Sequence, residues 1–231
     1  MNGFLLVNKP AGITSYDAIR HIKTCCPKKT KIGHSGTLDP FATGLLIIAI
    51  GRDYTRQLND LLGLDKTYRA EVTLGIETDS YDIDGTITQQ YSGDIQLSTA
   101  EITACLTQFK GEIQQQPPAF SAKKINGQPA YKLARNGQTV ELKPSTVTIY
   151  ELNLNSDQLS PSNSFNVSVH CSKGTYIRSL AHDIGQSLQV GAHLSQLQRV
   201  AIGATHIDDA HELAAITPES ISSCLRTELM V

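Results

Sequence analysis

Short apolar runs and alternating patterns along the chain predict its strands. Three such runs are bounded by turn-forming residues: residues 4–7, 147–152 and 165–171. Residues 66–74 alternate along the chain, which predicts a strand with one face made of Tyr68, Ala70, Val72 and Leu74. The block at 45–50 is wholly apolar and lies between two glycines, which favours a core strand, although a buried helix has the same pattern.

Other stretches repeat apolar residues at helical spacing. Thr14 or Ser15 is placed to cap a helix that turns Ala18, Ile19 and Ile22 inward. Ser98 and Glu101 form a capping box at the start of another. Helices are also predicted at residues 52–64, from residue 179 to 188, and in the last polar stretch to residue 231. Together these elements predict an α+β fold, a mainly antiparallel mixed sheet flanked by helices.

Composition indicates an ordinary globular protein. The 231 residues are 40% hydrophobic and 18% charged, enough to bury a sizeable core. The first residues lack a basic segment followed by a long apolar one, so we expect neither a signal peptide nor a membrane span there. We expect a cytoplasmic location. None of the five cysteines has the Cys-x-x-Cys spacing of a zinc or redox site, so we expect reduced, mostly buried thiols.

The acidic turn before Gly85 resembles a calcium loop only faintly. Its acidic residues are Asp79, Asp82 and Asp84. Tyr91 stands where an EF-hand needs its bidentate glutamate, so no metal is expected. The turn is predicted instead to be a solvated hairpin connection.

The formal net charge of −2 argues against a surface coated for nucleic acid, but positive charge is concentrated locally. One basic patch, Lys28, Lys29 and Lys31, lies just before a glycine-rich loop. A second spans residues 110–143, which contain six lysines and arginines but only two glutamates. Each patch could follow a phosphate backbone.

The glycine-rich loop at residues 33–44 has the most unusual sequence in the chain. Its glycines allow strained turns, and Pro40 pushes Asp39 towards extended backbone. A phosphate-binding P-loop is excluded, because no Gly-Lys-Ser/Thr follows and the loop carries an acid. Asp39 is therefore either a turn-capping residue or a carboxylate presented for chemistry.

A second distinctive run, residues 171–178, ends in Tyr176-Ile177-Arg178. In extended backbone, residues two apart project to the same side, so Tyr176 and Arg178 are predicted to aim into one site. Elsewhere, Tyr68 read alone suits a core aromatic, and His182 and His193 suit structural histidines rather than ligands.

The run Gly-His-Ser-Gly-Thr-Leu-Asp-Pro-x-Ala-Thr-Gly-Leu-Leu resembles the catalytic motif of the tRNA pseudouridine-55 synthases, the TruB family. The resemblance implies the pseudouridine synthase fold, with Asp39 as the catalytic nucleophile and Arg178 paired with it. It places Tyr68, Tyr176 and Leu197 around the flipped uracil, with Tyr68 stacking on it. Tyr68 is also expected to be catalytic, by helping to manage the C5 proton. His34 would fill the space that the base vacates.

The resemblance extends over nearly the whole chain, as one catalytic domain at 1–231. It identifies 111–144 as an RNA-gripping thumb that closes over the T-arm of tRNA, with Phe120 where tyrosine is usual. Lys9, Lys123 and Lys124 are expected to contact the substrate. No cofactor, metal or obligatory protein partner is implied, and a monomer is expected. Longer members end in an RNA-binding PUA domain, and no such domain is expected within these 231 residues.

Two other functions fit parts of the sequence. A non-catalytic RNA-binding or tRNA-folding module would use the same patches and thumb. A hydrolase of glycosidic bonds would need a second carboxylate several ångströms from Asp39, and none stands out near either motif. The product distinguishes the three functions. A binding module gives no product, a hydrolase releases the free base, and a synthase gives an isomerised nucleoside.

Overall fold

The computed structural model describes residues 1–121, 123–125, 127–138, 140, 142–156, 159–160 and 163–229. The strands are β1 (Gly3–Lys9), β2 (Ile32–His34), β3 (Thr43–Ile50), β4 (Lys66–Leu74), β5 (Ile76–Thr78), β6 (Ile87–Gln90), β7 (Gly111–Gln115), β8 (Lys124–Ile125), β9 (Gln128–Pro129), β10 (Ser145–Leu154), β11 (Ser164–Cys171), β12 (Ala192–Ile202), β13 (Thr205–His206) and β14 (His211–Glu212). The helices are α1 (Ser15–Thr24), α2 (Arg52–Thr55), α3 (Leu58–Gly63), α4 (Thr99–Thr107), α5 (Ala130–Arg135) and α6 (Ile177–Ser187).

The chain divides into two compact units, Met1–Arg69 with Leu197–Val231, and Ala70–Gln196. In the first unit the strand order is β14-β1-β3-β12. β1 runs antiparallel along the whole of one edge of β3. The other edge of β3 pairs with β2 at its end and, in parallel, with β12 at its start. β3 is therefore the central strand of this unit.

Both faces of β3 are covered, which explains why its sequence is apolar throughout. Leu46, Ile48 and Ile50 pack against the apolar stripe of α1. Leu45, Ile47 and Ala49 pack on the opposite side, in a cluster that includes Leu61 of α3 and Ile202 of β12. A strand buried on both faces loses the alternation that marks a half-exposed one. The core-strand interpretation of residues 45–50 is thus confirmed.

The second unit contains the strand order β4-β11-β10-β7. β10 pairs antiparallel with both β11 and β7. The hairpin β5–β6 carries the acidic turn, and the small pair β8–β9 precedes α5. α4 begins at the predicted capping box of Ser98 and Glu101.

The predicted fold class is confirmed: helices flank a mixed sheet in which most of the strand pairings described are antiparallel. Two predicted helices are wrong in extent. Residues 52–64 form two short helices, α2 and α3, because the chain turns at Arg56 and Gln57. The polar stretch after β12 forms 3₁₀ turns and β14 instead of a helix. Its apolar residues Leu213, Ile216 and Ile221 pack one by one into the cluster between α1 and β3, so they do not form a continuous helical stripe.

All five cysteines are free thiols, three of them buried. Within the described ranges, no helix has the length and apolar character needed to cross a bilayer.

Candidate active site

The loop that carries Asp39 joins β2 to β3 and is anchored on three sides. The backbone N–H of Ser35 donates to the carbonyl of Ile47, 2.9 Å away. The N–H of Gly12 donates to the carbonyl of Pro40 at 2.8 Å. The N–H of Leu38 donates to the hydroxyl of Ser15 at the start of α1, at 2.8 Å. Asp39 therefore sits, half-buried, on a loop whose position is set by β3, the turn after β1, and the start of α1.

Gly44 lets β12 approach the base of this loop. Its φ is +109°, and a Cβ added there would lie 2.3 Å from the carbonyl oxygen of Arg199, far inside van der Waals contact. The two residues are register partners in the parallel pairing of β3 with β12. A glycine is thus needed at this position for both its backbone conformation and the close approach.

Arg199 is the central buried charge of the first unit, with 2% of its surface exposed. Its Nε donates to the carbonyl of Leu45 at 2.8 Å, and its Nη2 donates to the carbonyl of Gly36 at 3.1 Å. Burial lowers the pKa of Arg199, while a hydrogen bond to Tyr68 and the charge of Asp39 act in the opposite direction. The guanidinium therefore connects the Asp39 loop, β3 and Tyr68.

Arg199 is not among the site residues predicted from the sequence. The available signal was an arginine inside a strand whose other positions are mostly apolar, because a charge at such a position needs buried partners. Those partners lie more than 130 residues away in sequence. The local sequence around Arg199 therefore identifies neither its partners nor the loop that Arg199 holds.

Lys9 lies entirely inside the first unit, with no exposed surface. Its ammonium donates to the carbonyls of Pro10 and Ile13, both at 2.8 Å, and to that of Pro40 at 3.4 Å. Burial lowers the pKa of Lys9 to about 8; the charge of Asp39 opposes this shift and that of Arg199 adds to it. Lys9 supports the Asp39 loop in this structure, and its contact with substrate stays a prediction.

The lowered pKa of Lys9 predicts a pH-dependent stability. Between its folded pKa of about 8 and its ordinary value of 10.5, the unfolded chain binds more protons at this residue, so stability rises with pH. Between about pH 7 and pH 9.5, the free energy of unfolding of wild type relative to Lys9→Met should rise by about 2 kcal/mol. Urea unfolding at several pH values measures this difference. A difference that is constant or falls with pH would contradict the prediction.

His34 and Leu197 complete the predicted residues of the first unit. His34 ends β2 and is half-buried; burial and the charge of Arg199 lower its pKa, and the backbone of Gly36 opposes this. A neutral imidazole at this position is suited to lie against an uncharged base. Leu197 stands two residues before Arg199 on β12, so both project to the same face of the strand.

Arg178 is the central buried charge of the second unit, 4% exposed. Its Nη1 lies 3.3 Å from an oxygen of the Asp82 carboxylate and donates to the carbonyl of Ser80 at 2.8 Å. Its Nη2 donates to the carbonyl of Phe120 at 2.9 Å. Since that contact uses the backbone, the phenylalanine found in place of tyrosine leaves it unchanged.

The acidic turn is a hairpin connection, as predicted, but the prediction that it is solvated is wrong for Asp82. This carboxylate is 5% exposed and also accepts from the hydroxyl of Ser80 at 2.5 Å and from the N–H of Asp84 at 3.1 Å. A buried guanidinium requires a carboxylate of this kind, and the partner lies too far along the chain for a local pattern to reveal.

Tyr176 has extended backbone, but Arg178 lies inside α6, so the two residues do not share one extended segment, which corrects our prediction. α6 begins at Ile177 because that residue is already part of its buried apolar face. Tyr176 is the residue before the helix, and the side-chain amide of Gln115 holds its backbone. The N–H of Tyr176 donates to Gln115 Oε1 at 2.8 Å, and Gln115 Nε2 donates to the carbonyl of Tyr176 at 3.0 Å.

The predicted thumb at 111–144 contains β7, β8, β9 and α5, and parts of it lie outside the described residues. Lys123 donates from Nζ to the hydroxyl of Ser145 at 3.2 Å. Lys124 belongs to β8, and its side chain lies outside the described part of the chain. Contacts of either lysine with substrate remain predictions.

The two histidines interpreted as structural make internal contacts. His182 stacks on Tyr81 with ring centroids 4.0 Å apart and planes at 14°. Burial lowers the pKa of His182, and the carboxylate of Glu77 opposes this shift. His193 places Nδ1 3.0 Å from the carbonyl of Ile76.

Comparisons with known proteins bear on this arrangement. Residues 23–177 match the family model described as "TruB family pseudouridylate synthase (N terminal domain)", and residues 178–227 match "tRNA pseudouridylate synthase B C-terminal domain". Proteins named tRNA pseudouridine synthase B from Aquifex aeolicus and Protochlamydia amoebophila are 44% and 45% identical. These alignments cover 92% and 88% of this chain, and 72% and 75% of the relatives.

Solved structures agree on the fold. The structure described as "Crystal Structure of a Cbf5-Nop10-Gar1 Complex" matches 92% of this chain with a TM-score of 0.67 and 28% identity. One described as "Structure of H/ACA RNP bound to a substrate RNA containing 2'-deoxyuridine" matches with a TM-score of 0.66 and 27% identity. This chain spans 52% and 51% of those chains. On its sequence and its fold, this chain belongs to the TruB family of pseudouridylate synthases.

Proposed function

We propose that this chain isomerises a uridine of tRNA, at position 55 in the T-loop, to pseudouridine. The observation that carries the proposal is the anchored Asp39 loop, which presents one carboxylate whose charge acts on the buried Arg199 and Lys9. Relatives that align over most of their length are named tRNA pseudouridine synthase B, which supports tRNA as the substrate.

The reaction needs no electron donor or acceptor. The bond between N1 of uracil and C1′ of ribose breaks, the base rotates, and C5 forms the new bond to C1′. The C5 proton leaves and N1 carries a proton in the product, so atoms and electrons balance within the nucleotide. Asp39 is the proposed nucleophile, attacking either the base or C1′; in a third path it assists proton removal from the sugar.

The target base must leave the folded T-loop to reach a carboxylate. We propose that Tyr68, Tyr176 and Leu197 enclose the flipped uracil, with Tyr68 stacking on its face. His34 would occupy the space left behind. Arg178, always charged and able to bind a carboxylate with two parallel hydrogen bonds, is the proposed partner of Asp39 in the catalytic complex.

The proposed partner is the T-arm of tRNA, held by phosphate contacts and by the thumb, with Lys123 and Lys124 as candidate contacts. We further propose that the enzyme acts as a monomer in the cytoplasm without an obligatory protein partner.

The test uses an unmodified tRNA transcript and a matched transcript with cytidine at position 55. After incubation with the purified chain, pseudouridine is mapped by carbodiimide-dependent reverse-transcription stops. We expect a single stop at position 55 of the first transcript and none on the second. A stop elsewhere would change the target position, release of free uracil would indicate a hydrolase, and binding without product would indicate a non-catalytic module.

A further inference from the structure

Positive charge is unevenly distributed along the first unit. Between Asp17 and Asp39 the chain has no aspartate or glutamate but carries five of its 20 lysines and arginines, although the whole protein has a net charge of −2. Arg20, one of the five, is paired with Asp17 at 2.9 Å. The remaining four, Lys23, Lys28, Lys29 and Lys31, are named here the lysine surface.

The lysine surface lines one open depression of about 660 Å³ at the end of α1. All four side chains are exposed, and none of the described residues that line the depression is acidic. Its backbone is held in place: the N–H of Gly51 donates to the carbonyl of Lys31 at 2.8 Å, and Thr30 closes a turn onto Pro27. The charges are thus gathered on an anchored segment.

Lys29 has a backbone conformation that is energetically unfavourable for a lysine. Its φ is +69°, in the left-handed region where glycine and asparagine are usual. Its side chain is exposed and packs into no core. A lysine at a strained, solvent-facing turn position points to a use outside the fold, and three other lysines lie around the same depression.

We propose that the lysine surface binds phosphate groups of the RNA backbone during substrate recognition. The proposal rests on the function proposed above and adds a contact surface outside the Asp39 loop. β2, three residues long, connects Lys31 to that loop, so both belong to the same anchored part of the first unit. Exposed lysines around an open depression suit a chain of several phosphates, whereas an enclosed site lined by backbone N–H groups would suit a single small anion.

The test compares wild type with the triple variant Lys28→Gln, Lys29→Gln and Lys31→Gln. Binding of unmodified tRNA is measured between about 50 and 200 mM salt. Each lost phosphate contact should reduce the slope of log affinity against log salt by about 0.9, and three should make the salt-induced loss of affinity about 40-fold smaller. Arg56→Gln is the matched control, because that exposed arginine of the same unit already pairs with Asp53.

Lys29→Gly separates binding from folding. Glycine relieves the left-handed strain, so the thermal midpoint should not fall, while the salt slope should still drop by about 0.9. A triple variant whose slope equals that of wild type would overturn the inference. If the slope falls but wild type makes no pseudouridine, the lysine surface stands and the proposed function fails.

Discussion

Replacing Asp39 by asparagine is expected to reduce pseudouridine formation roughly 10⁴-fold or more, with the fold and tRNA binding intact. The substitution keeps the size and shape of the side chain and removes the nucleophilic oxygen. The loop should hold its position, because the hydrogen bonds that anchor it are made by backbone groups and Ser15, which the variant retains. Single-turnover kinetics with saturating enzyme would measure the chemical step directly.

The control for this variant is Asp60→Asn, the same chemical change at an exposed position of α3 in the same unit. It should leave the rate within about twofold, as is usual for a surface change away from the site. Asp39→Asn should also shift its thermal midpoint by no more than a few degrees. If Asp39→Asn kept a rate within tenfold of wild type, Asp39 would be a turn-capping residue and the proposed mechanism would fail.

The elements whose patterns are local could be predicted from the sequence. α1 follows from the Thr14 cap and a stripe of apolar residues at helical spacing, and the structure shows the same cap and stripe. β3 follows from an apolar run between glycines, and burial on both faces gives the reason for that run. Asp39 could be selected as a candidate because a dense, family-specific motif surrounds it, and its role stays a prediction.

Contacts between distant parts of the chain were not predictable in the same way. Arg199 with Gly36, and Arg178 with Asp82, join residues separated by more than 90 positions. A single sequence shows that a residue such as Arg199 is charged, but it does not show which distant residue that charge contacts. The same limit explains the error at α6, whose start depends on Ile177 docking into a core that other segments build.

The two buried arginines follow one physical pattern. In each unit a guanidinium donates to the carbonyls of two residues that are distant from it in sequence, Gly36 and Leu45 in the first and Ser80 and Phe120 in the second. An arginine suits this task because its donors are fixed in a plane and its charge is permanent. Loops that need an exact shape can therefore be held without a continuous apolar core beneath them.

Replacing Arg199 by methionine is expected to destabilise the protein by about 3 to 5 kcal/mol. Methionine reaches a similar length and fills much of the space, so the loss would come from unpaired polar groups rather than from a cavity. The carbonyls of Leu45 and Gly36 and the hydroxyl of Tyr68 would all lose a buried donor. Urea unfolding of the variant measures the change, with Arg56→Met as an exposed control.

Arg199→Lys distinguishes the charge from the planar donor set. Lysine keeps the positive charge near Asp39 but cannot donate to Leu45 and Gly36 from the fixed positions of Nε and Nη2, so it should recover less than half of the lost stability. Recovery of nearly all of it would mean that charge alone matters. A buried charge can often be removed without loss of stability if its partner is replaced by an apolar group as well. Here the partners are backbone carbonyls, which a substitution cannot replace, so this compensation is impossible. If Arg199→Met unfolded within about 1 kcal/mol of wild type, water would have to be satisfying those carbonyls, and Arg199 would not be what holds the Asp39 loop.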